Sequence, residues 1–413
     1  MITTKSKLRF WLAAGYVLGV LVAAYPAYLL YQIFIPASSQ SQTAAAPNET
    51  RLAELKQQLQ LVSLQIHRFE AELVLGRKLY RQESLKDEKT TYLGQVVTGH
   101  DQLLALLNEK WSRLQNSKTN RSKLQRQRIQ LENLLNKSDV KTVNPSILEL
   151  DEEHDSNNAS LEKYLAMTGP DVYLYWPSRD AYFVMTTTTA SKPTNDKVTE
   201  FLQKSSLQSF MVSLPVNTNQ RVIDKLQQQP NLTENLKKIT QRFYFQDHWS
   251  TDNGHTSWLL RVNLEGPQGL SASLLPSELA QLRSLSLPIF QHSSQQQSTE
   301  KNVYSAVIFD CRKLSTQTGL FPRIMTPKGE SVYTVSQTDP NRITPKGAMV
   351  YSTLLATLVS ELGSSPLLIS VQETRGTYAM DWVISEMDAS KVMTINERNG
   401  LFFKGRIGVL LPD

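Results

Sequence analysis

The residue types with the most chemistry to offer in this 413-residue chain are six histidines, His67, His100, His154, His248, His255 and His292, and one cysteine, Cys311. No two histidines have the HExxH spacing that puts two imidazoles on one helix face around a zinc ion. No GxSxG nucleophile elbow and no GxxxxGK[ST] phosphate loop occurs. A single cysteine excludes an internal disulfide framework and a multi-cysteine zinc site. His248 and His255 flank a polar stretch at 247–255 with Asp247 and Asp252. A metal or acid/base cluster would use such residues, and so would the turn of a β-hairpin, which is the simpler account. Asp310, Cys311 and Arg312 follow an apolar run; Cys311 would serve as a nucleophile only with a base, and no histidine is tied to it by sequence. Burial as a small apolar residue explains Cys311, and an ion-paired turn explains Asp310 and Arg312. The expectation is a protein that is not an enzyme, with no catalytic residue, no metal site and no cofactor.

Charge points elsewhere. The net charge is +6, from 44 basic and 38 acidic residues. Residues 51–137 carry +7, whereas residues 138–413 carry −3. The densest stretch holds Lys110, Arg113, Lys118, Arg121, Lys123, Arg126 and Arg128 with no acidic residue among them. It reads as a possible docking strip for an anionic surface or acidic helix, or as the solvated face of a helix. The mildly acidic C-terminal two thirds give no support to nucleic-acid binding.

Elements must position these residues. Phe10 to Ile35 is uncharged, and at 1.5 Å per residue its 26 residues reach about 39 Å, enough to cross a hydrocarbon core of about 30 Å. Lys5, Lys7 and Arg9 precede it, so the expectation is a single-pass inner-membrane helix with a cytoplasmic tail at 1–9 and the bulk of the chain periplasmic. A cleaved signal peptide ending near Ala44–Ala46 is the rival. Gly15, Gly19, Ala23 and Ala27 would line a membrane-helix dimer face.

After a linker at 36–50, Leu52, Leu55, Leu59, Val62, Ile66, Phe69 and Leu73 follow alternating spacings of three and four. That is a coiled-coil seam, and the apolar stripe continues to Leu135, so 51–137 reads as a long helical stalk. Gly94 and Gly99 offer a place to turn back, but the stripe does not pause there. One rod is favoured over a hairpin, with homo-oligomerisation through the seam and the membrane helix.

Beyond Pro145 the texture becomes short apolar runs between Gly, Pro, Asn and Ser. Two small α+β modules with mainly antiparallel sheets are expected, at 155–290 and 303–413, joined by a polar linker at 291–302. In the second, VIFDCRKL (307–314), PRIMTPKGESVY (322–333), DWVISEMDASKV (381–392) and GRIGVLL (405–411) succeed one another. This order resembles the C-terminal domain of the flagellar T-ring assembly protein and related small outer-membrane-type lipoproteins. Asp310 and Arg312 match that family's D-x-R turn, whereas Cys311 and Lys313 depart from it and no lipobox is present. The resemblance implies a fold and a scaffolding role without catalytic residues. The expected function is accordingly a bitopic inner-membrane component of an envelope complex, such as a flagellar base, secretion or pilus-like apparatus. It would act on other envelope proteins through protein–protein contacts, with a stalk-tethered enzyme or a cell-wall or anionic-polymer binding module as the alternative.

Overall fold

The computed structural model describes residues 47–82, 89–135, 161, 165, 172–205, 207–250, 254–291 and 304–412. The chain divides into two units, 1–50 and 51–413, and of the first only the opening turn of a helix is described.

That helix, α1 (Pro47–Tyr80), leads to a two-stranded hairpin, β1 (Lys89–Tyr92) and β2 (Gln95–Thr98), and to α2 (Gly99–Leu135). Leu93 and Gly94 both have positive φ, 50° and 80°, the geometry of a two-residue primed turn that suits antiparallel strands. The continuous rod is thereby corrected to a hairpin of two helices. The three-four stripe survives, but it is filled from within the same chain. Leu55, Leu59, Val62, Ile66 and Leu73 are buried with Leu103, Leu107, Leu114, Leu124 and Leu131 of α2, while Leu52 and Phe69 pack at the margin. Gly76 makes room for Leu107 of α2: a Cβ there would lie 2.2 Å from Leu107 Cδ2. The coiled-coil stalk, and oligomerisation through its seam, are therefore corrected to an intramolecular brace.

The helix expected at 10–35, with Gly15, Gly19, Ala23 and Ala27, lies outside the described residues. Among the described residues no helix is long and apolar enough to cross a membrane. The long ones, α1 and α2, carry Glu, Lys and Arg on polar faces that meet solvent and each other's ions. The single-pass inner-membrane architecture is corrected on that finding, together with the localisation and membrane partnership drawn from it.

The brace lies on an antiparallel sheet. Its strands are β3 (Tyr173–Tyr175) and β4 (Asp180–Thr187). Next in the chain come α3 (Asn195–Lys204), α4 (Leu207–Ser213), β5 (Pro215–Asn217), β6 (Gln220–Arg221), α5 (Val222–Leu226) and α6 (Pro230–Gln241). Then β7 (Phe243–Ser250) and β8 (Thr256–Asn263) complete the sheet in the order β3-β4-β8-β7, before α7 (Leu270–Leu285). Period-two alternation sorts its faces. Tyr182, Val184 and Leu259 meet the helical brace, whereas Ala181, Phe183, Leu260 and Val262 join the main core with residues of α3, α6 and α7.

The C-terminal region holds β9 (Ala306–Asp310), β10 (Arg323–Met325), β11 (Ser331–Tyr333), α8 (Pro340–Lys346), β12 (Val350–Ser352) and α9 (Leu355–Leu362). It ends with β13 (Pro366–Ser370), β14 (Glu373–Arg375), β15 (Asp381–Val383), α10 (Glu386–Asn399) and β16 (Ile407–Leu410). Here the expectation of mainly antiparallel pairing is corrected. The sheet β12-β16-β9-β13 is parallel throughout, and the second sheet, β11-β10-β15-β14, joins β10 to β15 in parallel. Both faces of the first are covered, as parallel sheets require. Ala306, Ile308 and Leu410 pack on α9 and on Ile129 of the brace, while Val307, Phe309, Ile407 and Val409 enter the main core. That core also holds Trp382, Ile324 and Phe183, so the regions before and after the linker share one apolar interior.

Candidate functional site

Where these regions meet, a buried arginine organises the surface. Arg179 occupies the β3–β4 turn at φ 53° and is 1% exposed. Its Nη1 donates to Glu265 Oε1 at 2.6 Å and to Ser271 Oγ at 3.3 Å, and Nη2 points to the Met349 carbonyl at 3.5 Å. The Ser271 amide and hydroxyl also donate to Glu265, so the carboxylate is held on both oxygens. Gly347 lies directly over this guanidinium: a Cβ there would sit 2.1 Å from Arg179 Cζ, and its φ of 78° already favours glycine. The Gly266 amide donates to the Thr344 carbonyl at 2.7 Å, completing the seam between regions.

Over this seam opens a cleft of about 270 Å³, lined from one side by Pro177, Ser178 and Asn263 and from the other by α8, the end of α9 and the loop before β16. Helix α8 is capped by Asp339, whose carboxylate accepts from the Asn341 amide, and it carries Arg342 and Lys346 four residues apart on one face. Beside it, the loop before β16 carries Lys404 and Arg406. Backbone carbonyls at two helix ends position them: Lys404 Nζ donates to Asn399 O at 2.8 Å, and Arg406 Nη1 approaches the carbonyls of Glu361 and Leu362 at 3.5 and 3.4 Å. Cations at helix C-termini are favourably placed against the dipole. Gly405 sets this loop against α8, since a Cβ on it would lie 3.6 Å from Arg342 Cβ. Among the described residues no carboxylate pairs with Arg342, Lys346, Lys404 or Arg406, and Glu361 is the one acidic residue of the lining. Ser178 gives its hydroxyl to Asp180 at 2.6 Å, and Asn263 holds the other oxygen of that carboxylate at 2.7 Å, so this serine fixes the turn.

The residues singled out by sequence fall elsewhere. Asp310 and Arg312 form a two-pronged pair, at 3.0 Å through Nε and 2.7 Å through Nη2, in the turn after β9. Cys311 between them is fully buried, and burial, reinforced by the Asp310 charge, pushes its thiol well above the usual range. His248 is exposed on β7, stacked on Trp258 at 5.1 Å between ring centroids. None of Asp310, Arg312, His248 and His255 lines the junction cleft. No group of three or more His, Cys, Asp or Glu suited to a metal occurs among the described residues.

The basic strip of α2 is largely turned inward. Lys110 pairs with buried Glu72 at 2.7 Å and Lys118 with Glu70 at 2.6 Å, which ties α2 to α1. Arg121 donates to the Tyr175 hydroxyl at 2.5 Å, tying α2 to the first sheet. Arg128 bonds Glu132 at 3.1 Å and Ser360 Oγ at 2.9 Å, tying it to α9. Arg113 pairs with Glu109 along the helix, and Lys123 is exposed. The four cations of the cleft escaped the sequence reading because they come from separate segments. Their local signal was a lysine–glycine pair in each loop, TPKG at 344–347 and FKGR at 403–406.

Fold and site together define a two-region α+β protein, braced by a helical hairpin, with a basic cleft on the joint. Residues 306–413 match the family model described as Treponema pallidum Tp0624, second domain. The match covers the parallel sheet, its partner sheet and the cleft wall that carries all four cations. A search of curated proteins found no match to the chain.

Proposed function

We propose that this protein acts by binding and not by turnover, and that its recognition site for a small anion is the cleft over the Arg179–Glu265 seam. The observation that carries the reading is the convergence of Arg342, Lys346, Lys404 and Arg406 on one cleft with a single carboxylate in its lining. Cations that line one cleft repel one another, and a concave surface focuses their field into the opening, so an anion gains there what it would not gain on a flat surface. The lining contains no cysteine or histidine, and its one serine is committed to Asp180, which supports binding over covalent chemistry. The resemblance of the C-terminal strand runs to a flagellar T-ring assembly domain supports the same non-catalytic reading.

The test is thermal denaturation of the full chain with inorganic sulfate or phosphate, against chloride at equal ionic strength. Ligand held at 100 times its dissociation constant should add about 2.7 kcal/mol to stability and raise the midpoint accordingly. The surface variant R342E/K346E should keep its own midpoint near that of the parent and lose the anion-dependent rise. An equal rise in both proteins would place the anion elsewhere and end the proposal.

A further inference from the structure

Resting on that reading, we infer that the ligand is a small molecule bearing a dianionic phosphate ester, held by its phosphate on the cations of α8 and of the loop before β16. Three features of the site select this group. First, the donors come from two adjoining segments: Arg342 and Lys346 stand on α8, while Lys404 and Arg406 stand on the loop before β16, packed against it at Gly405. A carboxylate has two oxygens in one plane and satisfies one guanidinium fork. A phosphate ester offers three terminal oxygens in three directions and reaches donors on both segments at once.

Second, two of the four cations keep all their donors for a ligand. Lys404 and Arg406 already serve the carbonyls at the ends of α10 and α9, and the helix ends themselves carry partial negative charge. Arg342 and Lys346 make no side-chain hydrogen bond or ion pair with another described residue. A phosphate ester carries about −1.5 to −2 at pH 7, which matches two uncommitted cations.

Third, the cleft is small. About 270 Å³ lies below the roughly 300–1,000 Å³ of pockets that enclose a drug-sized ligand, so it takes a head group and a little of what that group is attached to. A polymer backbone, with charges spaced along a strand, would need a long basic track, and the acidic balance of residues 138–413 provides none.

The phosphate ester also supplies a pH signature, because its second ionisation lies near pH 6. The charged groups facing the bound phosphate are Arg342 and Lys346 from α8, Glu361 from α9, and Lys404 and Arg406 from the loop before β16. Asp180 stands behind Ser178 and Asn263, and no histidine is in the lining. Affinity should therefore fall on acidification because the ligand loses charge.

The experiment is calorimetric titration of the full chain with phenyl phosphate and with its isostere phenyl sulfate, a monoanion, at pH 7.5 and pH 5.0. Inorganic sulfate, a dianion at both pH values, controls for titration of the protein. Phenyl phosphate should bind about tenfold or more tightly than phenyl sulfate at pH 7.5, lose most of that advantage at pH 5.0, and bind R342E/K346E at least tenfold more weakly. Inorganic sulfate should keep its affinity at both pH values. If phenyl sulfate equals phenyl phosphate at pH 7.5, or inorganic sulfate weakens in parallel, the phosphate assignment fails while the anion cleft stands. If no probe binds, or all bind R342E/K346E as they bind the parent, the cleft proposal fails with it.

Discussion

Arg179 and Glu265, 86 residues apart, form a buried ion pair at 2.6 Å that ties the β3–β4 turn to the segment after β8, with Gly347 of the loop entering β12 packed over the guanidinium. Removing one partner leaves the other charge without compensation in a dry interior, at a cost of about 3–5 kcal/mol. Arg179→Met should therefore lower the urea midpoint sharply, and Glu265→Met should do the same. The double variant, with neither charge left, should recover most of the loss. A double variant as unstable as the sum of its parents would show that the seam depends on packing and not on the pair.

Gly76 inverts the ordinary rule for glycine in a helix. Alanine at an exposed interior position stabilises by about 0.5–1 kcal/mol. At Gly76 the new methyl would collide with Leu107 Cδ2, so Gly76→Ala should instead destabilise by roughly 1–3 kcal/mol as the helices are forced apart. Amide hydrogen exchange should quicken along facing stretches of α1 and α2 first. A gain in stability would mean that Leu107 repacks without strain.

His67 stacks on Tyr182 at 4.3 Å beneath the brace, and burial, helped by Arg121 and Arg261, holds its imidazole down to about 3. A depressed histidine favours the unfolded chain once protonated, so the stability it protects is intact above about pH 6.5 and drains away as pH falls toward 3, at roughly 1.4 kcal/mol per pH unit. His67→Phe should flatten this acid branch of the stability curve. An NMR titration showing His67 protonating near pH 6 would contradict it.

Glu278 behaves in the opposite sense. Burial raises its carboxyl above the ordinary value, against the opposing hydrogen bond from Asn217 at 2.8 Å and the Lys225 charge. A raised carboxyl contributes most below its unfolded value of about 4.5 and loses that contribution as pH rises through its folded value. Glu278→Gln keeps an acceptor for Asn217 and removes the charge. Its stability relative to the parent should rise from pH 4.5 toward neutrality in paired melts; a difference independent of pH would refute the account.

The leucine stripe was legible as helix over 52–80 and 99–135, and the strand pairs on either side of Asn253-Gly254 and of TPKG at 326–329 were legible as hairpins. Period and turn chemistry are local, so one stretch of chain suffices to read them. The partner of the stripe was not legible. A three-four seam is equally content against a second copy, a returning helix or a sheet, and the eight strand residues around Leu93 and Gly94 were too few to interrupt it. Nor did the strand runs reveal that β9, β13 and β16 lie parallel, because runs buried on both faces carry no alternation to read.

By itself, then, the sequence determined where most helices and strands form and that charge concentrates in α2, though not the β1–β2 hairpin that turns at Leu93 and Gly94. Only the tertiary structure decided what those segments face. It turned most of the basic strip into internal ties, and it gathered Arg342, Lys346, Lys404 and Arg406 around one cleft. The physical reason is range. Backbone preference and periodicity act within a few residues, whereas a cleft is the meeting of surfaces, and its four cations span 64 residues from Arg342 to Arg406.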